Sequence, residues 1–347
     1  MKTIITKTIA LLLASGLAMS AHNSAAATEL WYEDNNMGKA GGIPADFFDK
    51  FDKPESFAKA SQYIKVYMLS GIILKEKAMD NTFFKRKFIP YLKKNNIKLA
   101  LNMGGATWTQ LGNRINVAKY EVNQLQRLKR LGVEVSYIGL QSALGTLAHG
   151  TDADYPMEKR LQDIPAYAKL VHEIYPQAQI GIIVGLTSDP KEYREPFRKA
   201  QKAMDNIGIP LAYMHLDMPF HIPKTKMRGV TWQNIRDFET YLENELGINF
   251  GIITTSYFGG HHSDKEFHDD AIDSMRCYAG FGGTPSVYFL GSWFAHPTAT
   301  VPDNATGDNY PAMRTMLDLG KELEKIDQGT LLTGSSWHST CTAYKPD

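Results

Sequence analysis

The chain has 347 residues, 43% apolar, 11% aromatic and 22% charged, with a formal net charge of +1. This is ample material for a large core and excludes a disordered chain, while the near-neutral balance without a basic stripe excludes nucleic acid as a partner. Two cysteines, Cys277 and Cys341, exclude a disulfide-dense scaffold and have no metal-ligand spacing.

The first residues, MKTIITKTIALLLASGLAMSAHNSAAATEL, carry two lysines, an apolar run and then small residues, the pattern of a secretory signal peptide. Cleavage after Ala27 leaves Ala25 and Ala27 at the small-residue positions; Ser20 and Ala21 are weaker alternatives. The apolar run is shorter than the ~18 to 20 residues that span a bilayer, so no stable membrane insertion is expected after cleavage. Processing removes Lys2 and Lys7 and no acid, which takes the formal charge from +1 to −1. Export, to the periplasm or as a secreted protein, puts both cysteines in an oxidising compartment, either as one disulfide holding the C-terminal tail or as two buried thiols.

From residue 28 the chain alternates short apolar runs with helical periodicity. The runs are ELWYE (29–33), YIKVYML (63–69), IKLALN (97–102), VSYIGLQ (135–141), QIGIIVGL (179–186), LAYMHLD (211–217), NFGIITT (249–255) and SVYFLGSW (286–293). Between them, Val122, Leu125, Leu128 and Leu131 form one helical stripe closed by Gly132, and Trp232, Ile235, Phe238, Leu242 and Leu246 another closed by Gly247. Ile164, Tyr167, Val171 and Ile174, then Phe197, Ala200, Met204 and Ile207, and finally Met313, Met316, Leu317 and Leu323 make three more. The first crossover, with Phe47, Phe48 and Phe51, is the least regular. Asp189-Pro190 and Ser263 with Glu266 read as helix starts.

Eight strand–helix units predict a single-domain α/β fold, a (β/α)8 TIM barrel over residues 28–326 with a 327–347 tail as a strap. The rival is a doubly wound open sheet, but no glycine-rich phosphate loop follows the first strand.

In such a barrel the strand C-termini form the active site. Strand one ends in Glu33 after Trp31, and strand three in Asn102, followed by Trp108. Strand four ends in Gln141, strand six in His215 and Asp217, strand seven near Tyr257, and strand eight near Trp293 and His296. Residues two apart on a strand share a face, so His215 and Asp217 point together. Amides, aromatics and a few carboxylates suit a saccharide, with ring faces stacking on indole or phenol and two carboxyls cleaving a glycosidic bond.

This organisation resembles the (β/α)8 glycoside hydrolases, and FLGSWFAHPTATVPD is similar to the closing stretch of exported bacterial barrel proteins. The resemblance implies a cofactor-free hydrolase. In the largest group of retaining barrel hydrolases the acids stand on strands four and seven; here those positions carry Gln141 and the acid-free Thr254 to Tyr257. The expected pair is therefore Glu33 as general acid and Asp217 as base or nucleophile, or the reverse, with His215 orienting Asp217. Trp31, Asn102, Trp108, Gln141, Tyr257, Trp293 and His296 would hold the sugar. The alternatives are that Asp217 caps its loop and Glu33 pairs with a cation, and that Trp108 and Trp293 are core.

Three other stretches are weighed against chemistry. HHSDKEFHDD (261–270) lacks a zinc spacing, with two histidines in a loop before a helix and His268 on its first turns. TDADYP (151–156) lacks the glycine and glutamate of a calcium loop. Ser142 and Ser256 lack a nucleophile-elbow motif. Two rival functions remain: a catalytically inactive saccharide-binding barrel, and an envelope interaction or scaffold protein with an exposed apolar patch.

Overall fold

A computed structural model describes residues 27–34, 44–106, 117–145, 156–186, 188–330 and 340–342. The expected signal peptide, Trp108, residues 151–155 of TDADYP and most of the tail lie outside the described residues.

In chain order the elements are β1 (Glu29–Glu33), α1 (Asp49–Asp52), β2 (Ile64–Ser70), α2 (Asn81–Phe83), α3 (Ile89–Lys94), β3 (Lys98–Met103), α4 (Val117–Arg130), β4 (Tyr137–Gln141) and α5 (Met157–Ile174). They continue with β5 (Gln179–Gly185), α6 (Arg194–Asp205), β6 (Leu211–Asp217), α7 (His221–Thr225), α8 (Trp232–Glu245), β7 (Asn249–Thr254), α9 (Tyr257–His262), α10 (Asp264–Gly280), β8 (Val287–Leu290) and α11 (Ala312–Asp327). Each strand pairs in parallel with the next, and β1 pairs with β8, so the sheet closes into a single-domain (β/α)8 barrel.

Strands buried on both faces explain the unbroken apolar runs. One face of each strand meets the helices: Leu30, Leu99, Ile138, Ile182, Leu216 and Ile252 pack there with the helical stripes. The other face fills the barrel with Trp31, Val66, Met68, Ala100, Ile183, Tyr213, Ile253, Val287 and Phe289. Two glycines make this interior possible. A Cβ at Gly181 would lie 2.4 Å from the Tyr213 ring, and one at Gly251 would lie 2.5 Å from the His215 ring, so the bulky residues of β6 occupy the space their neighbours leave.

Helix ends follow their sequence signals. Ser263 accepts the Glu266 N–H to start α10, and Asp189 accepts the Lys191 N–H to start a 3-10 turn. Gly132 and Gly247 take positive φ (76° and 67°) after α4 and α8. β8 is shorter than its apolar run. After Leu290 the Ser292 hydroxyl donates to the His296 carbonyl (2.6 Å) and accepts from the Phe294 N–H (3.3 Å), turning the chain out of the sheet.

The first crossover is irregular because aromatic rings pack it in place of a long amphipathic helix: Phe51 contacts Phe47, Phe83, Phe88 and Tyr91. Among them Lys50 is fully buried, paired with Asp34 and 2.8 Å from the Tyr67 hydroxyl. Cys277 of α10 and Cys341 form a disulfide, and the Trp232 indole N–H reaches the Cys341 carbonyl at 3.4 Å. Cys341 of the tail is thus fastened to α8 and α10.

Candidate active site at the C-terminal mouth of the barrel

Strand alternation builds the site. Glu33 stands two residues beyond Trp31, Asn102 two beyond Ala100, and Asp217 four beyond Tyr213. All three therefore continue the interior face upward. Gln141 pairs with the interior residue Ile183, and Asp217 lies between Gly185 of β5 and Ile253 of β7. The glycine leaves one flank of Asp217 free of a side chain.

Glu33 is 4% exposed, and its Oε2 has no hydrogen-bond partner among the described residues. Burial, then the neighbouring charges of Asp34 and Asp217, push its carboxyl up to about 8. Asp217 is partly exposed, and burial of the rest of the carboxyl raises it to about 6. The two carboxyls thus share one electrostatic neighbourhood, and near neutral pH Glu33 holds its proton while Asp217 is mostly ionised. Asp34 faces the opposite way, where Lys50, Tyr67 and Tyr32 hold it.

His215 lies deeper. It is fully buried, with ring centroids 4.6 Å from Trp31, 4.7 Å from Tyr213 and 5.6 Å from Phe289. Neither ring nitrogen has a hydrogen-bond partner among the described residues, and burial pulls the imidazole down to about 3, so it stays neutral. The expected orienting bond from His215 to Asp217 is not formed. Two residues along a strand are about 6.6 Å apart, which leaves the imidazole a layer below the carboxylate. Trp31 occupies that same layer, 2% exposed, with its indole N–H donating to Glu29 at 2.9 Å. Trp31, which also packs 4.6 Å from Tyr137 at the start of β4, and His215 are therefore interior packing residues, and neither ring is open to the stacking or bonding with a sugar expected of it.

Around the opening, Asn102 is half-buried with its Oδ1 unpartnered among the described residues. The Gln141 amide lies 3.4 Å from the Ser142 hydroxyl. Trp293, half-buried, packs on the interior cluster, and Tyr257 at the start of α9 is 46% exposed. His296 is held by Asp264 (Nδ1 to Oδ1 2.5 Å), which also accepts the Thr298 N–H at 2.7 Å.

Several members of the site escaped the sequence reading. Tyr213, its hydroxyl buried without a partner among the described residues, was findable as the residue two before His215. Glu121 of α4 accepts the Gly104 and Gly105 N–H groups, both at 2.8 Å, and the Tyr167 hydroxyl, fastening the chain after β3. No sequence pattern announces that contact. His261 and His262 lie on the short helix α9, not in a loop, because Ser256 caps it through the Gly259 N–H. His268 is spent on Asp269 and Asp318. Among the described residues no group of three His, Cys, Asp or Glu side chains is placed to hold a metal.

The fold defines the class: a closed, parallel, single-domain (β/α)8 barrel. No family model matches the sequence, and no curated protein does. Among solved structures, a mutant xylanase A of P. fluorescens subsp. cellulosa in complex with xylopentaose superposes with a TM-score of 0.54 at 12% identity, over 85% of this chain and 98% of that one. A thermostable mutant xylanase from Cellvibrio japonicus gives 0.52 at 11% over 85% and 98%, and xylanase 10B of Thermotoga maritima 0.50 at 11% over 87% and 96%. These likenesses extend across nearly the whole of those chains and establish the barrel.

Proposed function

We propose that this chain is an exported glycoside hydrolase acting on an oligo- or polysaccharide, with Glu33 as general acid and Asp217 as base or nucleophile. The observation that carries the reading is the split in protonation: of two carboxyls on one interior face, burial and like charge hold one proton to about 8, while the other is ionised above about 6. Glycosidic cleavage requires that pairing. Glu33 gives its proton to the leaving oxygen, and Asp217 takes a proton from the attacking water or itself attacks the anomeric carbon. A signal-like start and the Cys277–Cys341 disulfide favour an oxidising, extracytoplasmic location.

The test is turnover and binding across xylo-, cello- and chito-oligosaccharides. Glu33→Gln and Asp217→Asn should each lower kcat about 100-fold or more while ligand affinity stays within a few fold. A second reading, a saccharide-binding barrel without turnover, is favoured by one specific observation: β4 ends in Gln141, and residues 254–257, from the last residue of β7 onward, contain no acid. Binding without detectable turnover by the unmodified protein would select it.

A further inference from the structure

Beside the mouth, α9 presents an aromatic surface that the two carboxyls do not use. Tyr257 and Phe258 are each 46% exposed, set edge-to-face with centroids 5.6 Å apart. His221 of α7 lies 4.7 Å from Phe258 and 5.6 Å from Tyr257, and His261 lies 4.4 Å from Tyr257. The Nδ1 of His221 is buried and has no hydrogen-bond partner among the described residues. The ring is half-buried and kept neutral by burial and by Arg228, so its open edge can meet an uncharged hydroxyl.

The surface is held firmly. Ser256 accepts the Gly259 N–H at 2.8 Å and is itself bonded to Asp270. The helix backbone is pressed against its neighbours: a Cβ at Gly259 would lie 2.5 Å from the backbone of α10, and one at Gly260 would lie 2.6 Å from Phe294. The Gly260 carbonyl accepts the His296 N–H at 2.9 Å. Two apolar rings are thus kept in solvent on a fixed helix, which costs hydration free energy unless something covers them.

Position suggests the occupant. Tyr257 follows Ile253, the β7 partner of Asp217, by four residues, which keeps their Cα atoms within about 20 Å. One oligosaccharide leaving the mouth can reach both. Two rings at right angles fringed by imidazole nitrogens and a phenol offer an apolar face plus hydroxyl partners, which suits a sugar ring better than the broad apolar surface a protein partner would need.

We infer that Tyr257, Phe258 and His221 form an outer saccharide subsite that stacks a ring of the same glycan at a distance from the bond being cleaved, making the ligand an extended chain. This rests on the glycan-acting reading above. The experiment measures affinity by calorimetry, from disaccharide to hexasaccharide in the xylo-, cello- and chito- series, using Glu33→Gln protein with and without Phe258→Ala or His221→Ala. Affinity should climb with chain length in the parent, and each added substitution should remove about tenfold from the longest ligands only. The climb persisting unchanged in both variants overturns the subsite while leaving the glycan reading intact. Absence of binding by any oligosaccharide overturns both. A parent that self-associates in light scattering, and is made monomeric by Phe258→Ala, also overturns the subsite by showing a protein interface. Because Phe258 is 46% exposed and its ring packs on the surface residues Tyr257, His221 and His262, its removal should change the melting temperature by a few degrees at most, which checks that any lost affinity is local.

Discussion

Replacing Glu33 by glutamine tests the charge state of the mouth without any substrate. An ordinary glutamate gives up its proton near 4.5, but Glu33 near about 8. Each pH unit between those values is worth about 1.4 kcal/mol, about 5 kcal/mol in all. The folded-state value is the raised one, which fixes the sign. Below about pH 4.5 both folded and unfolded chains hold the proton and there is no penalty. From there to about 8 the unfolded chain releases it while the folded chain does not, so stability falls steadily, and above about 8 the penalty is complete. Glutamine has no proton to lose, so Glu33→Gln should match the parent near pH 4 and exceed it by about 5 kcal/mol near pH 9. For a chain of this size that gap is about 5 to 10 °C in Tm. Paired thermal melts across this range measure it, and contributions from groups that do not interact with Glu33 cancel in the difference. A gap that stays constant with pH would refute the buried, protonated carboxyl and the acid role with it.

If turnover is found, its rate should follow a bell, rising as Asp217 ionises through about 6 and falling as Glu33 ionises through about 8; Asp217→Asn should abolish the rise, as a pH–rate profile would show. Gly181→Ala should cost about 1 to 3 kcal/mol, since its Cβ would lie 2.4 Å from the Tyr213 ring inside the barrel; denaturant unfolding reads this directly. Reduction of the Cys277–Cys341 bond, which spans 64 residues, should cost about 4 kcal/mol, and a Cys277→Ser/Cys341→Ser chain should melt at the same temperature with or without reductant. Two titratable thiols in the unreduced parent would overturn that expectation.

The strands were legible because each is a continuous apolar run bounded by breakers. LAYMHLD and ELWYE match β6 and β1 residue for residue, while β4 and β8 are shorter than their runs. Their ends are decided by turns, such as the Ser292 contacts, that hydrophobicity does not encode. Period-two alternation was enough to put His215 and Asp217 on one face, but it gives no vertical distance, and so their pairing was misjudged. Lys50 reads in DKFDK as a solvated residue; tertiary packing against the rings of Phe47, Tyr67 and Tyr32 and pairing with Asp34 bury it. Phe258 and His221 come together from separate crossovers, and no local spacing signals that meeting.

The Asp34–Lys50 pair behind β1 gives the barrel wall two electrically different sides separated by one residue. Asp34's charge is among those that raise Glu33, and Lys50 is the counter-ion that partly offsets it. The proton affinity of Glu33 is therefore adjustable from the helix side, by changes in the aromatic first crossover around Lys50 that leave the residues of the mouth untouched.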